Sequence, residues 1–167
     1  LSKGRGCWVF DVEGRKYLDF LGAYSAVNFG HCNARIAEAA KRQMDQLTLC
    51  SRAFYSDQTG AFCEELTRLC GMDAALLMNS GAEAVESAIK IARKWAYAVK
   101  GIERYKAEII VANGNFHGRT ISIISFSSEP FYKGDFGPFT PGFINVNYGD
   151  VEAIEKAINP HTAAVML

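Results

Sequence analysis

Met78-Asn79-Ser80-Gly81-Ala82-Glu83-Ala84-Val85-Glu86 is the stretch whose reading decides the fold. A short apolar run, 74–78, leads into it. A long run of helix-forming residues, 81–100, leads out of it and stops at Gly101. The pattern predicts a buried strand joined to a helix by a turn of small residues. A helix start carries unsatisfied N–H groups and the positive end of the backbone dipole, so such a turn can hold an anion. Gly81 and Ala82 let an anion approach the backbone, and Ser80 offers a hydroxyl. Ser80-x-x-Glu83 also fits a capping box, which needs no ligand. The two are compatible: the box uses the N–H groups of Ser80 and Glu83 and leaves those of Gly81 and Ala82 free.

Downstream, the rhythm of strand and helix continues. Residues 108–112 and 143–146 read as strands, 151–158 as a helix and 162–167 as a last strand. The run 121–126 reads as a further extended segment after a glycine-bearing turn. Apolar, β-branched strands alternating with helices imply an α/β architecture with a mainly parallel sheet. No helix follows the last strand to cover it, so the chain is expected to be cut short of a finished fold. Upstream, 7–20 predicts two short strands around a Glu13-Gly14 turn. Asn33 is placed to cap a helix with an apolar stripe at Ile36, Ala40, Met44 and Leu47. A second helix is expected over Asp57–Cys70, closed by Gly71.

The chain of 167 residues suits one compact domain with a small appendage, and its 49% hydrophobic content is ordinary for a globular protein. Eighteen basic residues balance 18 acidic ones, giving no long-range attraction for nucleic acid or an anionic membrane. No apolar run is long enough to span a bilayer. No leader pattern is visible, and because Leu1 is not Met, removal of one ahead of this chain stays open. The five cysteines, at 7, 32, 50, 63 and 70, are odd in number and contain no Cys-x-x-Cys. They read as reduced thiols of an intracellular protein. His31-Cys32 has no second ligand pair at zinc spacing, so no metal is expected.

A second chemical feature is Asn113-Gly114-Asn115-Phe116-His117-Gly118-Arg119-Thr120, at the end of the 108–112 strand. Ligands of open α/β sheets sit outside the carboxyl ends of strands, so this turn and the Ser80 turn can face one crevice. Phe116 or His117 offers a face for a flat ring, and Arg119 a planar fork for a carboxylate. The plain alternative puts Phe116 in the core and Arg119 in a surface ion pair. His117 is suited to acid–base work but has no evident partner.

Taken together, Asp11-Val12-Glu13-Gly14-Arg15-Lys16-Tyr17-Leu18-Asp19, Asn79-Ser80-Gly81-Ala82-Glu83-Ala84-Val85-Glu86 and Asn115-Phe116-His117-Gly118-Arg119-Thr120 resemble class III, fold-type I pyridoxal-phosphate (PLP) aminotransferases. The resemblance runs in order along essentially the whole chain. It is strongest to the ornithine-specific branch, through Tyr24-Ser25-Ala26-Val27-Asn28, Ser51-Arg52-Ala53-Phe54-Tyr55 and Phe136-Gly137-Pro138-Phe139-Thr140-Pro141-Gly142. The acetylornithine branch shares Phe116-His117-Gly118-Arg119-Thr120 but lacks the Arg52-Ala53-Phe54-Tyr55 stretch. Relatives of the human type carry Trp where His117 stands, which points to another lineage.

The resemblance implies an incomplete fold-type I domain, with an N-terminal segment over 1–55 and the first part of the PLP-binding domain over 56–167. It implies that Ser80, Gly81 and Ala82 cradle the cofactor phosphate and that Phe116 stacks on its ring. Tyr24 and Arg119 are implied to hold the α-carboxylate of ornithine, and Tyr55 to line the substrate pocket. By residue type alone, Tyr24 and Tyr55 are equally well explained as buried aromatics with satisfied hydroxyls. The implied reaction moves the δ-amino group of ornithine to 2-oxoglutarate, in a homodimer or larger homo-oligomer. The cofactor-holding lysine is expected beyond Leu167, so this segment alone is expected to be inactive. Lys90 and Lys94 lie on the helix that leads away from the phosphate turn and read as solvated. The cytoplasm, or the mitochondrial matrix, is the expected compartment. The alternatives are an acetylornithine or other ω-amino acid aminotransferase and, in a different class, a non-catalytic anion-binding α/β module.

Overall fold

The computed structural model describes residues 1–167, which gather into two compact units, Leu1–Ala74 and Ala75–Leu167. In the first unit β1 (Lys3–Arg5), β2 (Trp8–Phe10) and β3 (Lys16–Leu18) form an antiparallel sheet in that order. The hairpin around Glu13-Gly14 is as expected, and β1 is an addition. Asp11 ties the hairpin: one carboxylate oxygen accepts from the N–H groups of Glu13 and Arg15, the other from the Tyr17 hydroxyl at 2.8 Å.

A single turn, α1 (Gly22–Ser25), comes next, and it is left-handed. Ala23 (φ 50, ψ 49), Tyr24 (φ 55, ψ 49) and Ser25 (φ 67) follow Gly22 in that conformation. Each non-glycine residue there costs about 1–2 kcal/mol because Cβ crowds the following carbonyl. Helix α2 (Ala34–Gln46) opens on Asn33, whose side chain accepts from Arg35 N and Ile36 N, as its position predicts. Helix α3 (Asp57–Cys70) opens on Ser56 and stops at Gly71, whose φ of 64 is the left-handed cap that glycine adopts without a Cβ penalty. The stripe on α2 is present, but Ile36 and Met44 remain exposed within the unit.

In the second unit α4 (Gly81–Ala98) precedes β4 (Glu108–Ala112), and α5 (Ile121–Ser125) and α6 (Pro130–Lys133) follow it. Then come β5 (Phe143–Val146), α7 (Val151–Ala157) and β6 (Thr162–Met166). The three strands are parallel in the order β5-β4-β6. With a neighbour on each side, β4 is the spine of the unit, and Ile109, Ile110 and Val111 are fully buried. Ile109 and Val111 pack with Ile89 of α4 and with Ile123 and Phe126 of the α5 region into the main core.

Two sequence expectations are corrected. Residues 74–78 form no strand. A strand exists only through a partner's hydrogen bonds, and no other strand of this chain pairs with that run. Residues 121–126 are not extended: 121–125 are helical, and Phe126 caps the helix. A short β-branched run has no decisive period, and adjacent Ile123 and Ile124 are both buried. The Ile124 N–H bonds back to the Thr120 carbonyl at 2.9 Å and closes the helical turn.

Candidate functional site

Ser80 stands in extended conformation before α4 and is its N-cap. Its hydroxyl accepts from Glu83 N at 3.3 Å and donates to the Glu83 carboxylate at 3.2 Å, while the Asn79 side-chain amide donates to the other carboxylate oxygen at 3.4 Å. The Asn79 hydrogen bond first, with help from Ser80, holds the Glu83 carboxyl below its ordinary range. The serine hydroxyl is thus engaged inside the turn. The N–H groups of Gly81 and Ala82 have no acceptor in the chain, and a Cβ added at Gly81 would meet nothing within 4 Å. Two free donors at the positive end of an 18-residue helix, beside open space, suit a phosphate.

The turn after β4 is pinned from below. The Asn115 side-chain amide donates to the carbonyls of Ala112 (2.6 Å) and Phe126 (3.3 Å), and Gly114 N donates to the Ser128 hydroxyl at 2.7 Å. Phe116 is outside the core, at 60% exposure. Its ring meets Tyr132 edge-on at 5.9 Å between centroids. The Arg119 guanidinium lies 5.4 Å from the Phe116 centroid and 5.6 Å from that of Tyr132, and no carboxylate pairs with it. The plain alternative, a core phenylalanine and an ion-paired arginine, therefore does not describe these residues. Next to them, His117 buries Nε2 without a hydrogen-bond partner and rests against Phe126 at 5.8 Å. Burial pushes its imidazole pKa below the ordinary value of 6.5.

The two turns converge. A Cβ on Gly118 would stand 3.1 Å from the Cβ of Ala82, and the Thr120 hydroxyl donates to the Glu86 carboxylate one turn into α4. Ser80, Gly81, Ala82, Phe116 and Arg119 therefore share one end of the second unit. Beside them a cleft of about 490 Å³ is lined by Arg119, Ile121, Ile124, Phe131, Tyr132 and Phe136. Lys90 and Lys94 are exposed along α4. Sequence reasoning missed Tyr132, which sits in α6 between its Glu129 cap and Gly134. The only trace of it was Glu129-Pro130, a helix-start signal.

Tyr24 and Tyr55 belong to the first unit. Tyr24 projects from α1 at 87% exposure, and its hydroxyl has no partner in the chain. Tyr55 is fully exposed at the wall of a groove of about 570 Å³, together with Leu47, Arg52 and Phe54. Neither is the buried tyrosine that residue type alone would suggest. No group of three or more His, Cys, Asp or Glu side chains is placed to hold a metal ion.

A parallel sheet with flanking helices, and two turns converging at one end, define an α/β transferase fold of the PLP-dependent, fold-type I kind. The chain belongs to the class III aminotransferases, whose family description matches residues 1–167. An ornithine aminotransferase of Brevibacillus brevis is 57% identical over 100% of this chain and 42% of its own length. The solved ornithine aminotransferase of Toxoplasma gondii, described with partial PLP occupancy at its active site, superimposes with a TM-score of 0.96. It is 48% identical over 98% of this chain and 39% of its own. An acetylornithine aminotransferase structure from Elizabethkingia anophelis superimposes at 0.81, with 51% identity over 98% of this chain and 40% of its own. The chain thus spans about two-fifths of the length of the relatives it matches.

Proposed function

We propose that this chain is the N-terminal part of an enzyme that transfers the δ-amino group of L-ornithine to 2-oxoglutarate, giving glutamate 5-semialdehyde and glutamate. The observation that carries the reading is the meeting of Gly118 with Ala82, because it sets free N–H donors and an exposed aromatic ring side by side. Pyridoxal 5'-phosphate supplies the electron sink for the reaction. In the complete enzyme Gly81 and Ala82 donate their N–H groups to its phosphate, with Ser80 closing the same turn. Phe116 covers the flat ring. Arg119, with no carboxylate of its own, takes the α-carboxylate of ornithine as a bidentate fork. On the family resemblance, Tyr24 is read as a ligand of the substrate carboxylate and Tyr55 as lining the substrate pocket. Held by the far end, ornithine turns its δ-amino group to the reacting centre.

The cofactor-holding lysine is assigned to the part of the relatives' length that this chain does not span. Residues 1–55 serve as the N-terminal segment and 56–167 as the first part of the cofactor domain. A homodimer or larger homo-oligomer is proposed on the resemblance to the class III aminotransferases. A cytoplasmic setting is proposed on the bacterial source of relatives such as that of Brevibacillus brevis. No helix is long and apolar enough to cross a membrane.

The second reading is an acetylornithine aminotransferase, favoured by the 51% identity to the Elizabethkingia enzyme. The deciding experiment measures kcat/KM for ornithine and N-acetylornithine on the chain extended to its relatives' full length. Preference for ornithine is expected. Preference for the acetylated amine would replace the first reading by the second, and no transfer from either would remove both.

A further inference from the structure

Asp19 and His31 stand out among the ionisable groups of the first unit because they join two segments around a strained turn. One Asp19 carboxylate oxygen accepts from Leu21 N at 3.0 Å and from Gly22 N at 2.9 Å, at the entrance to the left-handed turn α1. The other is 2.7 Å from His31 Nε2. His31 is fixed in its turn to the hairpin sheet: its N–H and C=O exchange hydrogen bonds with Gly6 at 2.8 and 2.9 Å. Its ring lies where Gly4 has no side chain, for a Cβ there would fall 2.8 Å from His31 Cγ. Asp19 N closes the frame by donating to the Cys7 carbonyl at 2.8 Å.

Three consecutive non-glycine residues in left-handed conformation persist only where the surroundings over-determine them. Here a carboxylate with two backbone donors and one imidazole donor does so, and hydrogen bonds to a charged acceptor are the strong ones. What the strain achieves is visible in Tyr24, at the middle of the turn. That side chain packs into no core, and its hydroxyl bonds to nothing in the chain. Within this chain the ring and hydroxyl are therefore free to meet a group that the chain does not supply.

We propose that Asp19 and His31 are positioning residues for the reaction: they lock the left-handed turn, and through it fix the Tyr24 hydroxyl for the substrate carboxylate. The proposal rests on the reading of Tyr24 as a substrate ligand. Neither Asp19 nor His31 touches the substrate. Their contribution is that the hydroxyl is already in place when ornithine arrives.

The test uses the full-length enzyme and compares His31→Ala, His31→Gln, Tyr24→Phe and the double variant His31→Ala/Tyr24→Phe. Removing the imidazole is expected to raise KM for ornithine about tenfold, with kcat changed less than about twofold and bound PLP unchanged. His31→Gln, whose amide can still donate to Asp19, recovers most of the loss. The double variant has the KM of Tyr24→Phe alone, because the imidazole acts through that hydroxyl. If His31→Ala fails to fold, Gly4→Ala crowds the ring while keeping both side chains, and the same selective rise is expected. A normal KM in these variants beside a raised KM in Tyr24→Phe overturns the positioning role and leaves Tyr24 as a ligand. Full additivity in the double variant also overturns it. A normal KM in Tyr24→Phe itself removes the ligand reading on which the inference stands.

Discussion

Gly118 lies against Ala82 so closely that a Cβ on Gly118 would sit 3.1 Å from the Ala82 Cβ and 3.5 Å from its Cα. The two residues are 36 positions apart, on the turns that follow β4 and open α4. Their contact brings the free N–H groups that open α4 and the exposed Phe116 ring to one end of the unit. The Thr120–Glu86 hydrogen bond backs it from the next turn of α4.

Gly118→Ala should therefore separate the two turns. The new Cβ would also meet Ile123 Cδ1 at 3.1 Å, and the backbone φ of 124 is one that only glycine adopts freely. A loss of about 1–3 kcal/mol in stability is expected, together with weaker PLP retention. Denaturant titration and the bound-PLP content of the full-length enzyme check this. Ala82→Gly in the same chain should restore only part, since the Ile123 contact and the backbone strain remain.

Arg119→Lys keeps the charge but gives up the planar fork that lies over Phe116 and Tyr132. KM for ornithine should rise about tenfold, the cost expected when a bidentate charge-assisted contact becomes a single one. Steady-state kinetics on the full-length enzyme measure it. An unchanged KM would take Arg119 out of the carboxylate site.

Tyr55→Ile tests the wall of the first-unit groove. If Tyr55 lines the substrate pocket, the variant shifts preference from ornithine towards shorter ω-amino acids. The ratio of kcat/KM for ornithine and 4-aminobutyrate reports the shift. A constant ratio would leave Tyr55 as a groove residue with no part in specificity.

His117 sets a pH dependence of stability. Its folded pKa is lowered by burial, so the unfolded chain binds the proton more readily. Stability is at its full value above the unfolded pKa of about 6.5 and falls as pH drops below it. The fall attributable to this group ends once pH passes below the folded pKa. Denaturation midpoints measured from pH 7.5 down to 5 should decline, and His117→Phe should flatten that part of the curve. Equal slopes in both proteins would assign the decline to other groups.

Much of the fold was legible in the chain itself. Asn33, Gly71 and Ser80-x-x-Glu83 mark helix ends by local chemistry, and the α2 and α4 starts and the α3 end fall where those residues put them. The central strand over 108–112 is legible because a strand buried on both faces must be apolar throughout. The runs 74–78 and 121–126 differ from their sequence reading because a short apolar run carries no decisive period: the first finds no partner strand in this chain, and the second closes a helical turn. Only the neighbours available to them decide between strand and helix.

The residue types at 80–82 and 116–119, their order, and the turns that carry them are local properties, and sequence alone determined them. Three-dimensional packing decided that Gly118 meets Ala82, that Tyr132 supports Phe116 and Arg119, and that α1 is left-handed. Periodicity and capping act over a few residues, whereas these outcomes depend on which distant groups fill the same space and which donor reaches an acceptor first.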